Sequence, residues 1–82
     1  MQVTIKYFAS IRESIGQVSE QRETAATTLA SLRDELLASG PAYASLSRDR
    51  AVRTALGQVM TDESALITDG CEVAFFPPVT GG

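Results

Sequence analysis

Eighty-two residues, 44% of them apolar and 21% charged, describe a small globular chain with a single core, because so short a polypeptide cannot bury two. A formal charge of −3 without any cluster of lysine or arginine argues against a phosphate backbone as partner, so no nucleic acid is expected. With no histidine and a single cysteine, Cys71, the inventory holds no intramolecular disulfide, no tetrahedral zinc site and no imidazole catalyst, so no metal is expected either.

The opening stretch MQVTIKYFAS alternates polar and apolar residues, the pattern of a strand rather than of a secretion signal, and no apolar run reaches membrane length. A cytoplasmic chain without a membrane partner is expected. In the strand Val3 to Phe8, the residues Val3, Ile5 and Tyr7 share one face, and Thr4, Lys6 and Phe8 the other. A short helix follows, with Ser10 and Glu13 spaced as a capping box, Ile11 and Ile15 one turn apart, and Gly16 as a left-handed stop. Gln17 to Glu23 is polar except for Val18 and reads as an edge strand or a connecting loop. Thr27 or Thr28 then caps the main helix, whose Leu29, Leu32 and Leu36 repeat at helical spacing, with Leu37 widening the stripe and Gly40–Pro41 ending it. Ala38 to Ser47 is small and polar, the composition of a loop. Ala51 to Leu56 and Gln58 to Met60 are short extended segments broken at Gly57, and Asp69–Gly70 supplies a turn before the last strand, Glu72 to Phe76.

Strands at both ends and one substantial helix between them imply an α+β fold: a mixed sheet that lays one face on the helix and leaves the other open. In the last strand, Val73 and Phe75 share a side, and Glu72 assigns Ala74 and Phe76 to the outer one, as Lys6 assigns Phe8. If the first and last strands are parallel neighbours, Phe8 and Phe76 meet at one end of the open face, where Met60, opposite in parity to Val59, joins them. Two aromatics and a methionine converging there are expected to anchor a protein partner.

After that patch comes PPVTGG. Pro77 and Pro78 lack N–H groups and fix their own backbone angle, so they end the sheet and start a stiff, extended segment. Val79 and Thr80 offer side chains for a groove to grip. Gly81 and Gly82 thin the tail to bare backbone that fits a narrow channel, leaving the Gly82 carboxylate uncrowded for a large activating group. That carboxylate has a reference pKa of about 3.3–3.7 and is ionised at neutral pH, able to attack the innermost phosphate of ATP and form an acyl adenylate. An amine would capture such an anhydride as an isopeptide, a sulfur donor as a thiocarboxylate, and the spacing does not choose between them.

The ending DGCEVAFFPPVTGG, Asp69 to Gly82, closely resembles the small-subunit family of molybdopterin synthase, the ubiquitin-like sulfur carriers. ASIRE, Ala9 to Glu13, and TTLASLRDEL, Thr27 to Leu36, are also similar to that family, whereas Gln17 to Ala26 and Ser39 to Arg50 match poorly. The resemblance implies a ubiquitin-like beta-grasp domain over residues 1–82, with a protruding tail from Pro77. It implies that Gly82 is adenylated by an E1-like activating enzyme that consumes ATP, with no cofactor bound by the chain itself. A sulfur donor protein then completes a thiocarboxylate. In this picture the tail enters the large synthase subunit and passes sulfur to cyclic pyranopterin monophosphate, building the dithiolene of molybdopterin within a heterotetramer. The chain alone would not be a complete enzyme. The family's apolar contact positions fall on Phe8, Met60 and Phe76. Two rivals are a ubiquitin-like modifier joined to lysines through Gly82, and a carrier for thiamin thiazole synthesis, which shares the terminal glycines but is usually shorter and lacks FFPPVTGG. Gly57, where relatives often have asparagine, and Cys71, where a polar or acidic residue is common, depart from the pattern without touching the tail.

Overall fold

The computed structural model describes residues 1–78. Chain order is β1 (Gln2–Tyr7), α1 (Ala9–Ile15), β2 (Ser19–Glu23), α2 (Leu29–Ala38), a 3-10 helix (Pro41–Leu46), β3 (Arg53–Leu56), β4 (Val59–Thr61) and β5 (Glu72–Phe76). The five strands form one sheet in the order β2-β1-β5-β3-β4. β1 and β5 run parallel at its centre, with Ile5 opposite Val73 and Tyr7 opposite Phe75, and every other pairing is antiparallel. Period-two alternation sends Val3, Ile5, Tyr7, Val73 and Phe75 to one face, where all five are buried against Leu29, Leu32 and Leu36 of α2. Each of these leucines contributes about 1.5–3 kcal/mol by leaving water. The sheet covers the helix with one face and leaves the other open, as the pattern predicts, and this is the ubiquitin-like beta-grasp arrangement that the resemblance implies.

Local chemistry accounts for most boundaries. Thr28 caps α2: its side chain accepts from the Ser31 N–H while the Ser31 hydroxyl accepts from the Thr28 N–H, a reciprocal box. Gly16 ends α1 in the left-handed region at φ 90°. Gly57 and Gln58 both hold positive φ, 58° and 70°, as a two-residue turn between antiparallel β3 and β4 requires, which makes glycine apt at position 57. Gln17 to Glu23 resolves as an edge strand over Ser19–Glu23 rather than a loop.

Two expectations are corrected. The Ser10 and Glu13 capping box does not form: α1 starts two residues earlier than that box requires, Phe8 is the N-cap, and no side chain caps it. The backbone N–H groups of Ile11 and Arg12 donate instead to the Phe8 carbonyl, at 3.2 and 3.3 Å. The stretch Ala38 to Ser47 is not a plain loop either. α2 ends at Ala38, and Pro41–Leu46 winds into the 3-10 helix with Leu46 fully buried in the core.

What holds that helix in place is a buried cation. The guanidinium of Arg33, on α2, donates to the carbonyls of Leu46 at 2.5 Å, Ser47 at 2.6 Å and Arg50 at 3.1 Å, and pairs with Glu63 at 2.7 Å. Arg48 closes the same cluster by bridging Glu63 and Asp34. On the far edge, the Glu20 carboxylate accepts from the Tyr7 hydroxyl at 2.5 Å and the Tyr43 hydroxyl at 2.7 Å, tying β1, β2 and the 3-10 helix together.

Candidate partner-docking face and tail base

The open face is built by register. Parallel pairing of Tyr7 with Phe75 brings the next residues, Phe8 and Phe76, side by side at the carboxyl ends of β1 and β5. Their rings stack with centroids 4.5 Å apart and planes 11° from parallel. Antiparallel pairing with β3 then sets Arg53 opposite Phe76, and the row Lys6, Ala74, Ala55, Met60 crosses the sheet beside them. Phe8 is 38% and Met60 50% exposed, which is more than a core side chain of either type keeps. Together with Ala9, Arg53, Phe76, Pro77 and Pro78 they line a concavity of about 520 Å³.

The backbone at its rim is unusual. Phe8 is extended, at φ −129° and ψ 150°, and Ala9 follows at φ 52°, in the left-handed region that a residue with a β-carbon seldom enters. This reversal turns the chain from β1 directly into α1 and leaves Phe8 standing over the open face instead of continuing the strand. Lys6 pairs with Glu72 on the same face, 3.0 Å apart.

Phe8, Met60, Phe76, Pro77 and Pro78 are therefore brought together, as their parity and position anticipated. Val79, Thr80, Gly81 and Gly82 lie outside the described residues. Sequence reasoning missed two neighbours. Arg53 shares the parity of Ala55, which faces Ala74, so the signal for an outward Arg53 was present once β3 is paired with β5. Ala9 carried no signal, because nothing in its side chain asks for positive φ. Sequence reasoning also missed a second cleft, of about 370 Å³, on the helix side of Pro77 and Pro78, lined by Ser10, Ser14, Ser45, Asp49 and Arg50. It exists because the segment read as a loop is folded against α1.

The perturbed titrations of Tyr7, Tyr43, Glu35 and Glu63 lie outside the concavity beside Phe76. Burial, reinforced by the hydrogen bond to Glu20, pushes the Tyr7 phenol far above its ordinary value, and the same causes raise Tyr43. Burial opposes ionisation of Glu35 and Glu63, yet the hydrogen bonds that Thr24 and Arg22 give to the first, and Arg33 and Arg48 to the second, hold both below the usual carboxylate value. These groups secure the fold; none of them lines the concavity beside Phe76.

Comparison with known proteins sets this geometry in context. The sequence model of the ThiS family matches residues 5–82, nearly the whole chain. The chain belongs to the ThiS family. Among curated relatives of this ThiS-family chain, the molybdopterin synthase sulfur carrier subunit of Escherichia coli (strain K12) is 34% identical over 80 residues, covering 98% of the chain and 99% of the relative. Among solved structures, SAMP1 of Haloferax volcanii superposes with a TM-score of 0.80 at 22% identity, over all of both chains. A complex of subunits 1 and 2 of the molybdopterin-converting factor from Helicobacter pylori contains a chain that matches with a TM-score of 0.68 at 22% identity, again over all of both. These two likenesses establish the beta-grasp fold.

Proposed function

We propose that this chain is the sulfur-carrying subunit of a molybdopterin synthase, working in the cytoplasm, with the Gly82 carboxylate as its reactive group. The observation that carries the proposal is the stacked Phe8–Phe76 pair with Met60 beside it, set at the point where Pro77 and Pro78 lead the chain off the sheet. A rigid apolar anchor next to an outgoing tail is what a carrier needs: the anchor holds the carrier to a larger protein while the tail reaches into it. The relative from Escherichia coli, 34% identical over 98% of the chain and named as such a carrier, supports the same reading.

The chemistry follows from the terminal carboxylate. One of its oxygens attacks the α-phosphorus of ATP on an E1-like enzyme, pyrophosphate leaves, and the product is a mixed anhydride. A sulfur nucleophile delivered by a donor protein attacks the acyl carbon, AMP leaves with its oxygen, and the tail ends in a thiocarboxylate. Docked on the large synthase subunit, that sulfur bonds to a carbon of cyclic pyranopterin monophosphate as a thioester, water then cleaves the acyl C–S bond, and the sulfur stays on the pterin while the chain departs with its carboxylate restored. A dithiolene has two sulfurs, so two loaded carriers serve each product, consistent with a heterotetramer. The likeness to SAMP1, which related structures name a small archaeal modifier protein, gives a specific alternative: capture of the anhydride by a lysine. Intact-mass spectrometry after incubation with ATP, the activating enzyme and a sulfur source separates the two. Free chain with one oxygen replaced by sulfur supports the carrier, and adducts joined to other proteins through Gly82 support the modifier.

A further inference from the structure

Seven lysines and arginines face ten carboxylates in this chain. Lys6, Arg22, Arg33 and Arg48 are in ion pairs, whereas Arg12, Arg50 and Arg53 are in none among the described residues. Two of these three stand on opposite sides of the tail base. Arg53 lines the apolar concavity and Arg50 the polar cleft, and Pro77 and Pro78 form a wall of both. Arg12 lines neither.

Both arginines are exposed. Arg53 is fixed by its register opposite Phe76. Arg50 follows the 3-10 helix on the segment whose carbonyls, its own included, accept from the buried Arg33. Of the nearby acids, Asp49 lines the Arg50 cleft itself, where its carboxylate accepts from the Ser47 hydroxyl and interacts with the Arg50 charge, whereas Asp62, next to the β4 strand that flanks β3, accepts from the Ser64 N–H and hydroxyl. In the cleft of Arg50, the hydroxyl oxygen of Ser45 is buried with no hydrogen-bond partner among the described residues. A chain of net charge −3 thus presents an exposed arginine on each flank of the one segment proposed to enter a partner.

Distance decides what that charge can meet. Fully extended, the four residues beyond Pro78 would span about 14 Å, so a group at the end of a tail inserted in that form would stand further from the tail base than a Debye length of about 8 Å. The arginines therefore act on whatever surrounds the tail base, not on the phosphates or the sulfur at its tip. We propose that Arg50 and Arg53 form a two-sided cationic collar that pairs with carboxylate side chains at the mouth of the channel through which the receiving protein takes the tail. The collar turns the chain tail-first during encounter, while the Phe8–Phe76 patch holds it afterwards. The inference rests on the reading of the tail as an inserted group.

Stopped-flow association with the cognate large synthase subunit, at low and at high salt, tests it with Arg50→Gln, Arg53→Gln and the double variant; both side chains are exposed, so far-ultraviolet circular dichroism should match the parent. The double variant is expected to associate about tenfold more slowly at low salt, with a shallower salt dependence and a dissociation rate close to the parent's. Association indistinguishable from the parent at every salt concentration overturns the collar, as does a raised KM for ATP in the activation reaction with association unchanged, which would place the arginines against the nucleotide. Failure of the parent chain itself to bind the large subunit has a different meaning: it refutes the carrier reading and the collar with it.

Discussion

Replacing Phe76 with alanine separates what the apolar patch does for the fold from what it does for a partner. Full burial of a phenylalanine is worth about 1.5–3 kcal/mol, so the half-buried Phe76 ring contributes about 1 kcal/mol to the isolated chain. Its stack on Phe8, with centroids 4.5 Å apart, adds about 0.5–1.5 kcal/mol. The expected loss is about 2 kcal/mol of folding stability, or roughly 8–16 °C in Tm for a domain of this size. Urea unfolding should therefore shift its midpoint without a change in slope. Binding to the large subunit, measured by calorimetry at a temperature where the variant is fully folded, should weaken by a further 1–4 kcal/mol or so, the usual range for a central aromatic anchor. A wild-type dissociation constant alongside the stability loss would show that the ring serves the sheet alone, and the docking face would have to be sought elsewhere.

Other perturbations probe other links. Arg33→Met strips donors from three carbonyls and leaves Glu63 short of a partner, so urea denaturation should show a loss of about 3–5 kcal/mol, and a loss below about 1 kcal/mol would contradict its role as the anchor of the 3-10 helix. Stability should depend on pH at both extremes. Glu35 and Glu63 are held below their ordinary 4.5, so their contribution is complete above that value and disappears as acid protonates them. Tyr7 and Tyr43 are raised above their ordinary 10.0, so their contribution is complete below pH 10 and is lost as the pH climbs past it. A urea midpoint that stays flat down to pH 2 or up to pH 12 would argue against these networks. Deleting Gly82 should abolish sulfur transfer while circular dichroism and Tm stay at wild-type values; an active truncated chain would move the chemistry away from the terminal carboxylate.

Most of this architecture could be read from side-chain period. Alternation in MQVTIKYF and EVAFF named the buried faces of β1 and β5, and it did so because each strand has one charged outward residue, Lys6 or Glu72, to break the symmetry. The leucine spacing and Thr28 located α2 for the same kind of reason: a cap and a stripe are both local. Misreadings arose where the cause is not local. Ser10 and Glu13 have the spacing of a capping box, but strand pairing fixes Phe8 at the end of β1 and the helix begins immediately, which places Ser10 inside it. The stretch Pro41 to Leu46 looks like a loop because its order comes from outside, from an arginine on α2 that satisfies its carbonyls and from the core that takes Leu46. Arginine on an otherwise apolar helix face was the available clue. At the docking face, Phe8, Met60 and Phe76 were legible from parity, whereas the polar cleft beside Arg50 depends on that same externally ordered segment and so was not.

The central claim is that the Gly82 carboxyl carries sulfur for a larger enzyme. Purified chain, activating enzyme, ATP and a sulfur source are combined, the chain's intact mass is recorded, and the loaded chain is then given to the large subunit with cyclic pyranopterin monophosphate. The account predicts free chain in which one oxygen has become sulfur, returning to its starting mass as dithiolene forms. A chain that stays at its starting mass, or that accumulates in isopeptide linkage to other proteins, contradicts it.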